Sequence, residues 1–450
     1  MRPKKVSALT FTKSFDQRIR PSKLETICRE HGPVARGGIT IRLPELIKGM
    51  VFHLFQGSGN LAANVKTLIK KTISDSALSQ RRVLLPWQLF KDLLSVALAP
   101  KADEKEHPEA FYKGFRLIAM DGTKFSVGNT PQILSRLSKA AARRMKAAFA
   151  KLGACVLVEL GIHNPIAAAI GLQGESEIAL SVELLSQLPE MSLLLLDRLY
   201  GVGAHLARIV KACQSKGGHV LARARLGLKA KVLEVFADGS ARVEVKLREK
   251  GKKNGKVIGH LEVREIRGRV KRGNQAWVEV RFWTDLMDWV QYPAAELLKL
   301  YAKRWEHELY YKELKIEMRN GELLNSHTVE TAAQEVAALL IASSLVVGER
   351  IGVAAIGETS VLRISFGKTL HWVRSLWCVL EAGKGVLSAK QIEKLIRKTL
   401  KQIAADALPK RRERSCPRKV RQPVGSWPRL LENTYEYGES EYEINPILTA

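Results

Sequence analysis

The segment from Tyr301 to Lys315 constrains this 450-residue chain more than any other. It carries the spacing Tyr-x2-Arg-x3-Glu-x6-Lys, on Tyr301, Arg304, Glu308 and Lys315. An α-helix turns roughly 100° per residue, so a helix here would place the four side chains within about 60° of one another. A buried face would be apolar, and a solvated face usually alternates charge at i,i+4. One phenol, two cations and one carboxylate therefore indicate a polyanion with a metal ion beside it. A plain charged amphipathic helix is the alternative.

Two aspartates lie upstream, each at the predicted end of a β-strand. Residues 115–120 form a short β-capable run that stops at Asp121, where Gly122 favours a turn. The apolar run 193–196 predicts a buried central strand, and Asp197 follows it directly. A carboxylate in such a place is costly unless it is solvated, paired or bound to a metal. Either aspartate alone would be a common turn residue, but together with the helical carboxylate they predict one acidic site.

Three carboxylates suit a pair of Mg²⁺ ions, and Mn²⁺ should be able to replace them. Asp121, Asp197 and Glu308 offer the hard oxygen ligands that both ions prefer. Two such ions about 3.5–4 Å apart clamp the attacking and leaving oxygens of a phosphoryl transfer. Arg304 and Lys315 would hold and neutralise the adjoining phosphates. The predicted chemistry is therefore metal-dependent phosphoryl transfer.

These motifs resemble those of bacterial insertion-sequence transposases of the DDE type, in the cut-and-paste branch with a Tyr-Arg-Glu-Lys signature. The resemblance covers residues 40–425 and includes three further segments: Asp121-Gly122-Thr123, Leu196-Asp197-Arg198 with Tyr200, and Tyr292-Pro293-Ala294-Ala295-Glu296-Leu297. Leu199 departs from the pattern, because relatives often have glycine two residues after the second aspartate. That departure puts the local turn and the position of Tyr200 in question.

The resemblance implies a ribonuclease-H-like α/β core and an endonuclease that moves a transposable element by DNA recombination. Such an enzyme binds the terminal inverted repeats of double-stranded DNA, cleaves by metal-dependent hydrolysis and joins the 3′-hydroxyl ends to target DNA. It would act as a dimer in the end complex. The matching positions are three catalytic and metal-binding carboxylates and three DNA-binding or phosphate-binding side chains: Asp121, Asp197 and Glu308; Tyr301, Arg304 and Lys315.

Two alternatives remain open at this point. A related metal-dependent nuclease would cut DNA without joining it, and a catalytically inactive relative would only bind DNA. The presence of all three carboxylates argues against the inactive relative. The family branch also suggests hairpin ends, which often need an aromatic wedge for a flipped base. The candidates are Trp277, Trp283 and Trp289.

The charge balance supports a nucleic-acid partner. The chain has 73 Lys and Arg against 45 Asp and Glu, a formal net charge of +28. Such an excess points to a polyanion. The five cysteines form no Cys-x2-Cys pair, which predicts a reducing, cytoplasmic compartment. We expect no membrane partner, because no apolar run reaches the ~18 residues of a spanning helix.

The pattern along the chain predicts three regions. Residues 1–110 form a basic, mainly helical DNA-binding region, of which 1–39 should be partly disordered. Residues 111–350 form the catalytic core, with a β-rich insertion at about 220–285, and residues 351–450 a helical region with a basic tail. Four segment predictions follow: a helix at 131–152, a hairpin at Asp238-Gly239, a basic DNA-contacting loop at 246–272 and a solvated acidic tail over the last nineteen residues.

Overall fold

The protein has a mixed α/β architecture, with helices on both faces of one large sheet. The structure is a computed structural model that describes residues 10–33, 40–141, 146–248, 255–272, 276–319, 323–409, 414–415, 436–437 and 440–445. Most of the predicted basic tail at 409–421 lies outside these residues, as does the middle of the predicted basic loop, at 249–254.

The α-helices within the described residues are α1 (Phe11–Arg18), α2 (Pro21–His31), α3 (Leu43–Gln56), α4 (Leu61–Ile69), α5 (Asp75–Val83), α6 (Trp87–Ala97), α7 (Pro131–Leu134), α8 (Glu177–Leu184), α9 (Gly203–Gln214), α10 (Ala294–Leu300), α11 (Trp305–Lys312), α12 (Val329–Ile356), α13 (Phe366–Ala382) and α14 (Ala389–Ala405). The strands are β1 (Phe111–Tyr112), β2 (Phe115–Val127), β3 (Lys139–Ala141), β4 (Lys146–Glu159), β5 (Asn164–Gly171), β6 (Ser192–Leu196), β7 (His219–Arg223), β8 (Lys231–Val235), β9 (Ala241–Arg248), β10 (Val257–Arg272), β11 (Val278–Thr284), β12 (Arg414–Ser415), β13 (Glu436–Tyr437) and β14 (Ser440–Ile444).

The first half of the sheet has the strand order β5-β4-β2-β6-β7. Strands β2, β6 and β7 are parallel, whereas β4 and β5 are antiparallel to their neighbours. The predicted central strand at 193–196 is confirmed, since all five residues of β6 are buried. Helix α9 connects β6 to β7, and α8 lies between β5 and β6. This order brings the carboxyl ends of β2, β6 and β7 to one edge.

Residues of β2 alternate between the two faces of the sheet, as the pleat requires. Ile118 and Met120 pack with α8 and α9 on one side. Leu117 and Ala119 pack on the other side with α10. This alternation decides which helix each residue near the carboxyl end of β2 meets.

Helix α12 lies at the centre of the helical regions, and other helices pack around it. Helices α3, α6, α13 and α14 contact it, and their apolar faces share one core. Within the described residues, it is the one helix that is long and apolar enough to cross a membrane. However, 67% of its most apolar 18-residue stretch is buried inside the protein. The division of the chain into three domains remains a prediction.

The amino-terminal segment is more ordered than we expected. Partial disorder was predicted for residues 1–39, yet α1 and α2 cover most of 10–33. Phe11, Phe15 and Ile19 are fully buried. Three large apolar side chains in a basic segment provide the burial that holds these helices against the core.

The β-rich segment extends the catalytic sheet. β11 pairs with β7, and β10, β9 and β8 follow in order. The predicted hairpin joins β8 to β9, and Gly239 has a φ of 81°, which glycine adopts without strain. The prediction of a basic loop at 246–272 is wrong for its described residues: β9 runs to Arg248 and β10 fills 257–272.

The acidic tail is not wholly a solvated segment either. Strand β14 pairs with the basic strand β10. Glu443 forms an ion pair with Arg269 at 2.5 Å, and Glu441 one with Lys271 at 3.2 Å. Opposite charge and cross-strand pairing therefore order part of the tail.

The helix predicted at 131–152 is wrong as well. Among the described residues of that range, 131–141 and 146–152, α7 is the only α-helix, four residues long, and β3 and β4 follow it. Alanine and lysine favour a helix, but β4 pairs with β2 from Ala150 to Glu159. Tertiary pairing has overridden the local propensity.

Candidate active site

Asp121 lies within a strand and not at its end. β2 continues to Val127 because its pairing with β4 continues, with Asp121 opposite Val156. The turn predicted at Gly122 is therefore wrong. The parallel pairing of β2 with β6 nevertheless stops at Met120 and Leu196. Asp121 and Asp197 are thus the first residues beyond the last parallel pair, on neighbouring strands about 4.8 Å apart.

The signature segment is helical but not one regular α-helix. Between α10 and α11 it passes through a 3₁₀ turn at Tyr301–Arg304, and after α11 it continues as a π-helical turn at Glu313–Glu317. Lys315 lies within that π turn, where the regular 100° spacing no longer applies. π turns in helices are frequent at functional sites.

One cavity of about 770 Å³ brings the predicted residues together. Its lining includes all three carboxylates and all three predicted DNA-binding side chains: Asp121, Asp197, Glu308, Tyr301, Arg304 and Lys315. These residues come from β2, the end of β6 and the signature segment, up to 194 positions apart in the sequence. Their convergence is what the spacing predicted.

Arg304 bridges two of the carboxylates. Its Nη1 lies 3.2 Å from Asp121 Oδ2 and its Nη2 lies 3.1 Å from Glu308 Oε1. The side chain is only 14% exposed, so water screens these contacts weakly. Burial raises the pKa of Asp121 to about 7; Arg304 opposes that rise, whereas Glu177 and Asp197 add to it. The site therefore crowds negative charge, which Arg304 offsets in part and which a bound cation would offset further.

Two phenols attach the signature segment to the strand ends. Tyr301 donates a hydrogen bond to the Leu196 carbonyl at 3.0 Å, just before Asp197. Tyr311 donates one to the Asp121 carbonyl at 2.6 Å. Tyr301 therefore binds the backbone beside Asp197, a candidate catalytic residue, and its contact with DNA remains a prediction. The sequence analysis missed Tyr311, although its i,i+3 relation to Glu308 was a usable signal.

Lys315 completes the wall of the cavity. Its ammonium donates to the Lys124 carbonyl at 2.9 Å and lies 5.1 Å from the centre of the Phe125 ring. Burial lowers the pKa of Lys315 to about 8, and the nearby charge of Lys151 lowers it further. These contacts hold the ammonium group on the wall of the cavity that the carboxylates also line, where it is suited to a phosphate oxygen.

Glu177, at the start of α8, is a residue that the sequence analysis missed. Its Oε1 accepts hydrogen bonds from the Gly122 amide at 3.0 Å and from the Tyr200 hydroxyl at 2.6 Å. One carboxylate thereby fastens the residue after Asp121 and the turn after Asp197. The signal was weak, because a glutamate in the first helical turn is common for reasons of capping alone.

The turn after Asp197 forms without glycine. The Leu199 amide donates to Asp197 Oδ1 at 2.6 Å, and the Tyr200 amide donates to the Asp197 carbonyl at 3.2 Å. Tyr200 is fully buried. Leu199 therefore does not displace Tyr200 from the site.

Gly122 is needed because Glu177 passes directly over it. A Cβ added to Gly122 would overlap the Glu177 carboxyl group. We expect Gly122→Ala to lower the free energy of unfolding by about 1–3 kcal/mol through overpacking, and to reduce activity by displacing Glu177. Urea denaturation of the single variants and of Gly122→Ala/Glu177→Ala measures the coupling between the two sites.

Gly128→Ala is the matched control for that experiment. Gly128 follows β2, and a Cβ there would meet nothing within 4 Å. It should therefore change stability much less than Gly122→Ala. Equal losses in the two alanine variants, or additive losses in the double variant, would contradict the role of Glu177.

The donor set suits a hard divalent cation. The three carboxylates offer oxygen ligands on the wall of a largely polar cavity, and Arg304 already shows that a cation is favourable between two of them. Asp121, Asp197 and Glu308 are the residues that would hold such an ion.

Of the three tryptophans considered as a wedge for a flipped base, Trp283 is excluded from that role. Its side chain is 1% exposed, and its indole N–H donates a hydrogen bond to Glu265 at 2.8 Å.

The comparison with known protein families identifies the class of this protein. The sequence profile of the transposase DDE domain matches residues 112–345, more than half of the chain. The chain therefore belongs to the DDE transposase family and is a DDE-type phosphoryl-transfer enzyme acting on DNA. Enzymes of this family generally use divalent metal ions.

Two known proteins resemble the chain. The transposase InsG for insertion sequence element IS4, from Escherichia coli (strain K12), is 25% identical over 325 residues, which are 71% of each chain. The second is a cryo-EM structure of a piggyBac transposase synaptic complex with hairpin DNA. The aligned region covers 89% of this chain and 86% of that chain, at 10% sequence identity and a TM-score of 0.43. The strand order described above does not depend on that weaker likeness.

Proposed function

We propose that this transposase binds the terminal inverted repeats of an insertion sequence, cleaves DNA there and joins the 3′-hydroxyl ends to target DNA. The observation that carries the proposal is the convergence of Asp121, Asp197 and Glu308 on one cavity around Arg304. We further propose a ribonuclease-H-like core. The strand order β5-β4-β2-β6-β7, with aspartates on adjacent strands, supports it.

Each side chain has a distinct part in the proposed reaction. Asp121, Asp197 and Glu308 would hold two Mg²⁺ ions, for which Mn²⁺ could substitute. When bound, those ions would activate water and stabilise the charge of the displaced oxygen. Arg304 and Lys315 would then be available to phosphate oxygens of the DNA end. Tyr301 and Glu177 would keep the two aspartates in position through the hydrogen bonds described above.

A single set of assays separates this proposal from the two alternatives. The wild-type protein and Glu308→Gln are incubated with a labelled terminal-repeat duplex and a target plasmid, in Mg²⁺, Mn²⁺ or EDTA. We expect wild-type cleavage and joined products only with a divalent ion, and neither from Glu308→Gln. Cleavage without joining would identify a nuclease, and DNA binding without cleavage would identify an inactive relative.

The predicted dimer in the end complex needs its own measurement. Each end of an element must be cut and brought to the target together, which two protomers would achieve. Light scattering of the purified complex with terminal-repeat DNA should give the mass of two chains and two ends. A complex containing one chain would contradict this part of the proposal.

A further inference from the structure

A second cavity, of about 340 Å³, adjoins the catalytic cavity. The two share Arg198 and Arg223 in their linings, and the second is lined in addition by Arg225, Arg281 and Glu279. Because β6 pairs with β7 up to Leu196 and Ala222, the chain reaches Asp197 and Arg223 at the same level on adjacent strands. The arginine groove, defined here by Arg198, Arg223 and Arg225, therefore lies next to the edge where the parallel pairing of β2, β6 and β7 ends, the edge at which Asp121 and Asp197 lie.

The arginines of the groove differ from those of the neighbouring strands in their partners. Five of the seven arginines on β9, β10 and β11 form ion pairs with carboxylates: Arg242, Arg264, Arg267, Arg269 and Arg281. Within the part of the chain that the structure describes, Arg198, Arg223 and Arg225 form none. Three unneutralised cations around one concavity repel one another, a cost that a bound polyanion would remove.

The loop that carries Arg225 is held in place by a buried side chain. Arg281 is 3% exposed and is neutralised by Glu265. Its Nη1 donates to the carbonyls of Leu226 at 3.3 Å and Leu228 at 2.5 Å. The backbone after β7 is thereby ordered, while the Arg225 side chain is exposed to solvent. A preorganised backbone lowers the entropic cost of binding.

We propose that the arginine groove binds the sugar–phosphate backbone of the DNA strand that continues from the scissile phosphate. The inference rests on the proposed function, since it takes the catalytic cavity to hold that phosphate. Guanidinium groups pair with phosphates in bidentate geometry and independently of base sequence. Glu279 on the same lining opposes the binding and limits its strength.

Two DNA strands have the required chemistry, and the experiment distinguishes them. One is the donor flank, which continues beyond the end of the element before cleavage. The other is the target strand, which is present only during joining. Labelled terminal-repeat duplexes are prepared with a 10-nucleotide flank and without a flank, the latter ending in the 3′-hydroxyl. Binding, cleavage and joining to a plasmid are measured separately.

The test variant is Arg198→Ala/Arg225→Ala, which removes the two most exposed cations of the groove. If the donor flank is the ligand, affinity for flanked DNA should fall about tenfold, and the salt slope by about two. Affinity for flankless DNA should stay unchanged. If the target is the ligand, joining of flankless ends should fall similarly while binding of flanked DNA is unchanged. Either result supports the proposal.

Two control variants set the scale. Arg397→Ala removes one exposed arginine, paired with Glu393 on α14 and outside both cavities, and measures the effect of losing a positive charge away from the groove. Glu279→Gln should have the opposite sign and tighten the binding that the double variant weakens. The proposal is overturned if the double variant loses no more than Arg397→Ala, or loses affinity equally for both duplexes. A wild-type protein that neither binds nor cuts terminal DNA would refute the proposed function and this inference with it.

Discussion

Asp121→Asn should abolish cleavage and joining, by about 10³-fold or more, while affinity for terminal DNA stays close to that of the wild type. The amide keeps the shape of the side chain and can still accept the hydrogen bond from Gly122. It loses the negative charge that a metal ion needs and that Arg304 contacts. Binding should survive because most of its salt-dependent strength comes from basic residues elsewhere.

Gel shifts and cleavage assays on the same preparation measure both quantities. Asp103→Asn is a suitable control, because Asp103 lies in an exposed turn and accepts the Lys105 amide. That variant should cleave at the wild-type rate. Parallel loss of binding and cleavage in Asp121→Asn would show instead that Asp121 serves the structure and not the chemical step.

Arg304→Ala should slow cleavage by about 10²–10³-fold and also weaken assembly of the end complex. In the structure the guanidinium contacts both Asp121 and Glu308 and offsets part of their negative charge. Without it these carboxylates repel one another, and the DNA end loses a bidentate phosphate partner. Arg304→Lys should recover part of the activity at low salt, because lysine restores the charge but not the planar fork.

Native gels of the end complex and single-turnover cleavage, each at low and physiological salt, test this expectation. Lys299→Ala is the matched control: this lysine is exposed on α10, in the same helical segment. Full activity of Arg304→Ala at physiological salt would mean that Arg304 only pairs with neighbouring carboxylates. Its bridging position makes that possibility worth excluding directly.

Much of the site could be predicted because the residues that define its chemistry lie in a few short segments of the sequence. The apolar run before Asp197 predicts a buried strand from composition alone, and β6 is fully buried. The spacing of the signature residues predicts one shared face. Although the segment contains a 3₁₀ turn and a π turn, the four side chains still line one cavity. Local periodicity carries such information whatever the rest of the chain does.

The position of Asp121 shows where local information ends. Gly122 favours a turn, but its backbone pairs with Cys155 of β4 and keeps the strand extended. Pleating then directs Asp121 to the side of the signature segment and Gly122 to the side of α8. Glu177, 55 residues away, uses the space above that glycine. Strand pairing between distant segments, and not the residue types around Gly122, decided this geometry.

By itself the sequence determined the class of chemistry and the buried strand that ends just before Asp197, and it predicted the three candidate carboxylates and their cationic partners. These follow from residue type and spacing within single segments. Only the tertiary structure decided that Arg304 bridges Asp121 and Glu308, that Glu177 fastens both aspartate segments, and that the acidic β14 pairs with β10. Each of these contacts depends on which distant segments become neighbours, and that is set by the burial and backbone pairing of the whole chain.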